Sequence, residues 1–124
     1  MSVEELLSEI RTLEGRRKKI LAGLRFPTDG LPGSLAQSAR RCGHPRCRCH
    51  HGDPHLSWTL TFMADGKKHV EHVPKELLET VRERVQEGNS YKSDVAELMA
   101  INAQLLILGR RARKQQEAAR KAAG

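Results

Sequence analysis

The chain has 124 residues, a formal net charge of +7, and 22 Lys and Arg residues against 15 acidic ones. Only 38% of the residues are hydrophobic and 3% are aromatic, so a large spherical core is not expected. One domain of long helices with narrow apolar stripes and a small metal-stabilised module fits this composition better. The charge favours anionic partners such as nucleic acid, with a soluble helical protein carrying solvated basic faces as the alternative.

Residues 1–25 predict an N-terminal helix. Ser2 and Glu5 form a capping box at its start. Apolar residues then follow at heptad-like steps, namely Leu6, Ile10, Leu13, Ile20 and Leu24. Arg17 occupies the one position of this pattern where an apolar residue would be expected. Pro27 disfavours helical backbone at the residue before it, so the helix should end near Leu24.

Turn residues dominate positions 26–34, and the Cys- and His-rich segment begins soon afterwards. Ser34 is a suitable N-cap, so we expect a short helix from Leu35 to about Arg41 that leads into Cys42.

A β-hairpin is predicted after the cysteines, because apolar and hydroxyl residues alternate from Leu56 to Phe62. Asp65-Gly66 is a favoured two-residue turn, and Lys68 to Val73 form the return strand. This turn places Phe62 opposite His69, Leu60 opposite Glu71 and Trp58 opposite Val73. Two strands alone are marginal in water, so the hairpin requires cover from another element.

Two further helices are predicted. The first begins at Pro74 and stops at Gly88-Asn89, and the second begins near Ser90. Asn102 falls within the apolar seam of the second helix, where it is either a buried residue that sets register or a solvated residue at the helix edge. Residues 110–124 have no apolar face and predict a frayed, basic, solvated tail.

The predicted fold class is α+β and mostly helical. The N- and C-terminal helices are expected to pair as an antiparallel, coiled-coil-like hairpin around a small module made of a zinc knuckle and the β-hairpin. The expected organisation assigns 1–25 to the N-terminal helix, 26–74 to the knuckle and hairpin, 75–109 to the C-terminal helices and 110–124 to the basic tail.

All the cysteines of the chain cluster with a histidine at spacing suited to metal binding. The ligand set is Cys42, Cys47, Cys49 and His55, with glycines and prolines between them for tight turns. Three soft thiolates and an imidazole are a ligand set for structural zinc, so Zn²⁺ is the expected cofactor. His44, His50 and His51 stay alternatives for the fourth ligand, although His50 and His51 are too near Cys49 to close a comfortable ring.

An odd number of cysteines argues against a secreted disulfide framework, and metal thiolates suit a reducing compartment. The acidic start of the chain is unlike a signal peptide, and no apolar run is long enough to cross a membrane. The expectation is a cytoplasmic protein without a membrane partner.

Three functions follow from these features, and none is enzymatic, because no set of nucleophile, base and orienting group is present. The first is nucleic-acid binding, with DNA favoured over RNA, through basic residues of the knuckle and the hairpin tip: Arg40, Arg41, Arg46, Arg48, Lys67 and Lys68. The second is a protein-interaction module that forms a homodimer or binds another protein through the helical stripes. The third is a zinc- or thiol-based redox sensor.

The segment Arg41-Cys-Gly-His-Pro-Arg-Cys-Arg-Cys49, with His55 and the later Val73-Pro-Lys-Glu-Leu77, resembles a family of small bacterial proteins of unknown function. The resemblance covers about residues 31–108 and supports the metal ligands Cys42, Cys47, Cys49 and His55. Family members are often encoded near transposases or other mobile elements, which implies an accessory role for this chain. His44 departs from the family's usual lysine, and the hairpin start at Leu56 has fewer aromatic residues than the family's.

Overall fold

A computed structural model of the protein describes all residues, Met1–Gly124, and has an α+β architecture. Two helices accompany a three-stranded antiparallel sheet. The elements in chain order are α1 (Val3–Gly23), β1 (Ser34–Arg40), β2 (His55–Ala64), β3 (Lys67–Val73) and α2 (Leu78–Ala123), with short 3₁₀ turns at Arg48–His50 and Lys75–Leu77. None of the helices combines the length and hydropathy that a membrane span requires.

The chain divides into two compact units. The helical unit comprises Met1–Arg25 and Tyr91–Gly124, and the sheet unit comprises Phe26–Ser90. Because α2 extends from Leu78 to Ala123, its first part belongs to the sheet unit and its remainder to the helical unit.

The helical unit is built from α1 and the C-terminal part of α2. The predicted N-cap is confirmed, since Ser2 Oγ accepts a hydrogen bond from the backbone N–H of Glu5. One apolar cluster joins Leu6 to Leu108 and Ala112, and the other joins Ile20 to Leu98 and Ile101. The two segments therefore pack in opposite chain directions, while the knobs-into-holes packing of a true coiled coil stays a prediction.

Polar contacts accompany this packing. Arg16 forms an ion pair with Glu97, at 3.0 Å between Nη2 and Oε2. Asn102 is exposed, and its Oδ1 accepts a hydrogen bond of 2.9 Å from Arg17 Nη1. Of the two interpretations of Asn102, the helix-edge one is therefore correct.

The predicted hairpin is confirmed in detail. β2 pairs with β3 in the expected register, with Trp58 opposite Val73 and Phe62 opposite His69. Asp65 and Gly66 both have positive φ, 53° and 75°, as a tight hairpin turn of the I′ kind requires. The Phe62 and His69 rings stack with their centroids 5.1 Å apart.

The predicted helix from Leu35 to Arg41 is wrong, because Ser34–Arg40 forms the strand β1. β1 pairs with β2 along its whole length, from Ser34 opposite Thr61 to Arg40 opposite His55. The cap signal of Ser34 indicated a helix, but the segment has few apolar residues to stabilise one, and pairing with a distant strand decides its structure.

The prediction of two C-terminal helices with a break at Gly88-Asn89 is also wrong, because α2 continues through both residues. A Cβ at position 88 would lie 2.2 Å from the carbonyl oxygen of Leu31, so the glycine allows the backbone of Leu31 to approach α2 closely. The Asn89 side chain donates a hydrogen bond of 3.2 Å to the Gly33 carbonyl. These residues anchor the 26–34 segment and do not end the helix.

Residues 110–124 differ from the predicted frayed tail, since α2 extends to Ala123. Ala112 is only 4% exposed and packs with Leu6. Gln115 Nε2 also donates to the Met1 carbonyl at 2.9 Å. One small alanine among cations was too weak a signal to indicate this buried position.

The core of the sheet unit lies on one face of the sheet. Leu60, Val73 and Val85 are buried there, and Val85 comes from the first part of α2. Partly buried apolar residues surround them, and Arg82 lies over the Trp58 ring at 5.1 Å. The helix thus provides the cover that the hairpin requires, and it covers one face of the sheet.

Candidate metal centre

The cysteines lie in the loop of residues 41–54, which connects the paired ends of β1 and β2. Arg40 is the last residue of β1 and lies directly opposite His55, the first residue of β2. Loops of this length inside a compact unit are uncommon without a functional or structural reason. A metal bound here would close the loop and hold the two strand ends together.

Local hydrogen bonds shape the loop. The backbone N–H of Cys47 donates to the His44 carbonyl at 3.0 Å, and that of His50 donates to the Cys47 carbonyl at 3.1 Å. The guanidinium of Arg41 donates to the Gly52 carbonyl at 3.2 Å across the loop. These turns direct three sulfur atoms toward one another.

The ligand atoms of Cys42, Cys47, Cys49 and His55 all lie within 4.8 Å of one another. The sulfur atoms of Cys49 and Cys42 are 3.6 Å apart, and Cys47 Sγ lies 3.0 Å from His55 Nε2. In a tetrahedral thiolate site with bonds of about 2.3 Å, neighbouring sulfur atoms are about 3.8 Å apart. The group can therefore hold a metal ion with small movements of the side chains.

The other histidines of the loop stand outside this group. His50 Nε2 lies 2.8 Å from the Cys42 carbonyl oxygen, so its ring contacts the backbone. His44 contributes its backbone carbonyl, which lies 3.9 Å from Cys42 Sγ. The imidazole that shares the cluster with the three sulfur atoms is that of His55.

The thiols differ in acidity. A hydrogen bond from the backbone of Cys49 is the largest of several contacts that lower the pKa of Cys47 from 9.0 to about 6, followed by contacts from Cys42 and His55. Burial raises the pKa of Cys49 above 9.0. The lowered pKa of Cys47 favours its thiolate, whereas the raised pKa of Cys49 favours its protonated thiol. Metal binding must displace that proton, since thiolates are the ligands.

The predicted basic residues separate into two groups. Arg40, Arg41, Arg46 and Arg48 lie in or beside the loop and are exposed; we call them the knuckle arginines. Lys67 and Lys68 begin β3, opposite Ala64 and Met63. At about 3.3 Å per residue along β2, the lysines lie roughly 25–30 Å from the loop, so the structure does not join them to the knuckle arginines.

A groove of about 630 Å³ opens on the sheet face opposite the α2-covered one. Arg40 and Arg41 line it with residues that the sequence alone did not single out: Ser38, Ser57, Thr59 and His72. The hydroxyl alternation along β2 was a usable signal. The groove could not be predicted from this alternation alone, because β1 supplies the adjacent part of the same sheet face.

The fold and the site define a small α+β protein with a three-cysteine, one-histidine cluster that can hold a metal ion. Residues 3–83 match the model of a protein family described as a domain of unknown function (DUF6788), and the chain belongs to this family. The expectation of an uncharacterised family is thereby confirmed. Searches of curated proteins and of solved structures found no match.

Proposed function

We propose that this protein binds zinc through Cys42, Cys47, Cys49 and His55, and that the zinc-closed loop presents basic side chains to nucleic acid. Three sulfur atoms and one ring nitrogen within 4.8 Å of one another support zinc, which favours thiolate and imidazole ligands. Four protein ligands complete a tetrahedron, so the role proposed for the metal is structural and the protein is proposed to be non-enzymatic.

The charge of the loop surface is the observation that carries the nucleic-acid proposal. The ion pairs of the structure join Arg16 to Glu97 and Arg82 to Glu79, and neither involves a knuckle arginine. The knuckle arginines are exposed in or beside the loop of residues 41–54, in a chain of net charge +7. Exposed guanidinium groups that form no ion pair with an acidic side chain are suited to phosphate oxygens. DNA is proposed over RNA, and the mobile-element association rests on the family resemblance alone.

The test measures the binding of the zinc-loaded protein to fluorescein-labelled duplex DNA by anisotropy over a range of salt concentrations. We expect log affinity to fall linearly with log salt, by about 0.9 for each phosphate contact. Arg46→Gln combined with Arg48→Gln should reduce that slope by about 1–2. The matched control, Lys18→Gln with Lys19→Gln, removes the same charge from α1 and should leave the slope nearly unchanged.

Zinc content is measured for each variant, so that a lost metal is not mistaken for a lost contact. Absence of binding by the zinc-loaded wild-type protein at low salt, or binding insensitive to salt, would contradict the proposal.

The second candidate is a protein-interaction role, and apolar residues exposed on α2 favour it. Met99 is 67% exposed and Leu106 is 68% exposed, with Ile107 beside them. Met99 and Leu106 are seven positions apart, so they share one side of the helix. A second copy of the chain or another protein is the partner considered for this surface.

A reducing, cytoplasmic compartment stays part of the proposal because it suits three cysteines without a disulfide. The redox-sensor alternative would use the same thiols.

A further inference from the structure

The uncovered face of the sheet carries an array of hydrogen-bonding side chains beside the metal centre. On β2, Trp58 and Leu60 pack toward α2, so Ser57 and Thr59 point to the opposite face. β1 adds Ser38, opposite Ser57, and β3 adds His72, opposite Thr59. Three strands therefore contribute to one open groove of about 630 Å³.

The chemistry of this groove is that of an anion site. Its lining combines the hydroxyl groups of β1 and β2 with the imidazole of His72 and the guanidinium groups of Arg40 and Arg41, and it includes no Asp or Glu. Cys42 and His55 of the metal cluster complete the lining with Gly43, so the groove borders the metal centre. The Ser38 and Ser57 hydroxyls lie 3.1 Å apart and share a hydrogen bond, which leaves each oxygen able to accept, and one hydroxyl able to donate, a bond to a ligand. Arginine, serine and threonine side chains supply many of the hydrogen bonds that proteins make to phosphate oxygens.

The groove has no Phe, Tyr or Trp side chain on which bases could stack. Phe62 stacks on His69, and Trp58 lies under Arg82, so both rings are engaged with the α2-facing side of the sheet. A single strand held by stacking would require aromatic side chains on the open face. The ligand that best matches hydroxyl, imidazole and guanidinium donors without a large aromatic platform is the sugar–phosphate backbone.

We infer that the groove lined by Ser38, Arg40, Arg41, Ser57, Thr59 and His72 binds the sugar–phosphate backbone of nucleic acid without reading its sequence. The inference rests on the proposed function and specifies its main contact surface. It extends the interface from the loop onto the sheet, where Arg40 and Arg41 join the two.

The test introduces a negative charge into the groove. Thr59→Glu places a carboxylate at the centre of the open face, where Ala36 on the adjacent strand leaves space. Thr80→Glu is the matched control, because Thr80 is an exposed threonine on α2 outside the groove. Both variants change the net charge equally, so a difference between them reports the location of the contact.

We expect Thr59→Glu to weaken binding to the labelled duplex DNA about tenfold or more and Thr80→Glu to weaken it about twofold or less. Ser38→Asp, on the edge strand, should reproduce the loss and covers the case in which Thr59→Glu does not fold. Zinc content and circular dichroism identify folded variants. A mixed-sequence single-stranded RNA is titrated in parallel. Binding of either probe that is weakened by the groove variants supports the inference, and the probe affected shows whether the backbone bound is that of DNA or of RNA.

Equal weakening by Thr59→Glu and Thr80→Glu would overturn the groove assignment, because only the overall charge would then matter. Wild-type affinity in both groove variants, together with a loss in the Arg46 and Arg48 double variant, would overturn the inference and leave the proposed function standing. Failure of the wild-type protein to bind either probe would overturn both.

Discussion

Gly88 shows how one residue can be misinterpreted when its neighbour in space is unknown. Within a chain, a glycine followed by asparagine is a typical helix end. Here the missing side chain admits the Leu31 backbone, whose N–H also donates to the Arg84 carbonyl at 2.9 Å. The residue is required for packing between two segments far apart in sequence, which no local pattern encodes.

Gly88→Ala should therefore destabilise the protein, although alanine is the better helix former. The added methyl group must displace backbone atoms of Leu31, and overpacking of this kind costs about 1–3 kcal/mol. The control is Gly109→Ala, where the new Cβ has no neighbour within 4 Å. This substitution should stabilise the helix by about 0.5–1 kcal/mol. Urea unfolding compares the two, and similar effects at both sites would refute the close approach at Gly88.

At the scale of elements, the sequence predicted those whose signals are local. The cap at Ser2, the Asp65-Gly66 turn and the register of β2 with β3 each depend on residues within a few positions of one another. β1 could not be predicted in this way, because its state is set by pairing with β2 across the loop of residues 41–54. The four residues of the candidate metal cluster were predictable from their spacing, whereas the groove depends on β1 and could not be predicted.

The β1–β2 pairing should depend on the metal. His55→Ala removes a proposed ligand, so most of the zinc should be lost on dialysis against a weak chelator, and backbone amides of β1 and the start of β2 should lose protection from hydrogen exchange. His51→Ala, a histidine outside the cluster, should keep its zinc. Amides of α1 should keep their protection in both variants, because the clusters around Leu6 and Ile20 do not involve the loop.

Stoichiometric zinc in His55→Ala, or zinc loss in His51→Ala, would show that the fourth ligand is assigned to the wrong residue.

At the scale of the whole molecule, the region that matches the family model ends before the part of α2 that packs against α1. The match ends at residue 83, within α2, whereas the residues that bury the apolar side of α1 lie at positions 98–112. The C-terminal part of α2 is thus outside the matched region but is required to bury α1. Its opposite side carries the exposed Met99 and Leu106.

If α2 also mediates self-association, sedimentation equilibrium should show a dimer that forms with increasing concentration. Met99→Glu combined with Leu106→Glu should then give a monomer, because two charges would be placed in an apolar contact. Leu21→Glu, which changes an exposed leucine on α1, is the control and should still dimerise. A wild-type protein that stays monomeric at the highest concentration would exclude self-association through this surface.

The distant pairing within the helical unit also affects how the protein folds during translation. Arg16 pairs with Glu97, 81 positions later, and Met1 accepts a hydrogen bond from Gln115, 114 positions later. During translation α1 is therefore synthesised well before residues 98–112, which cover its apolar side. The sheet unit, whose residues are complete at position 90, can fold before the residues that pack against α1 have been synthesised.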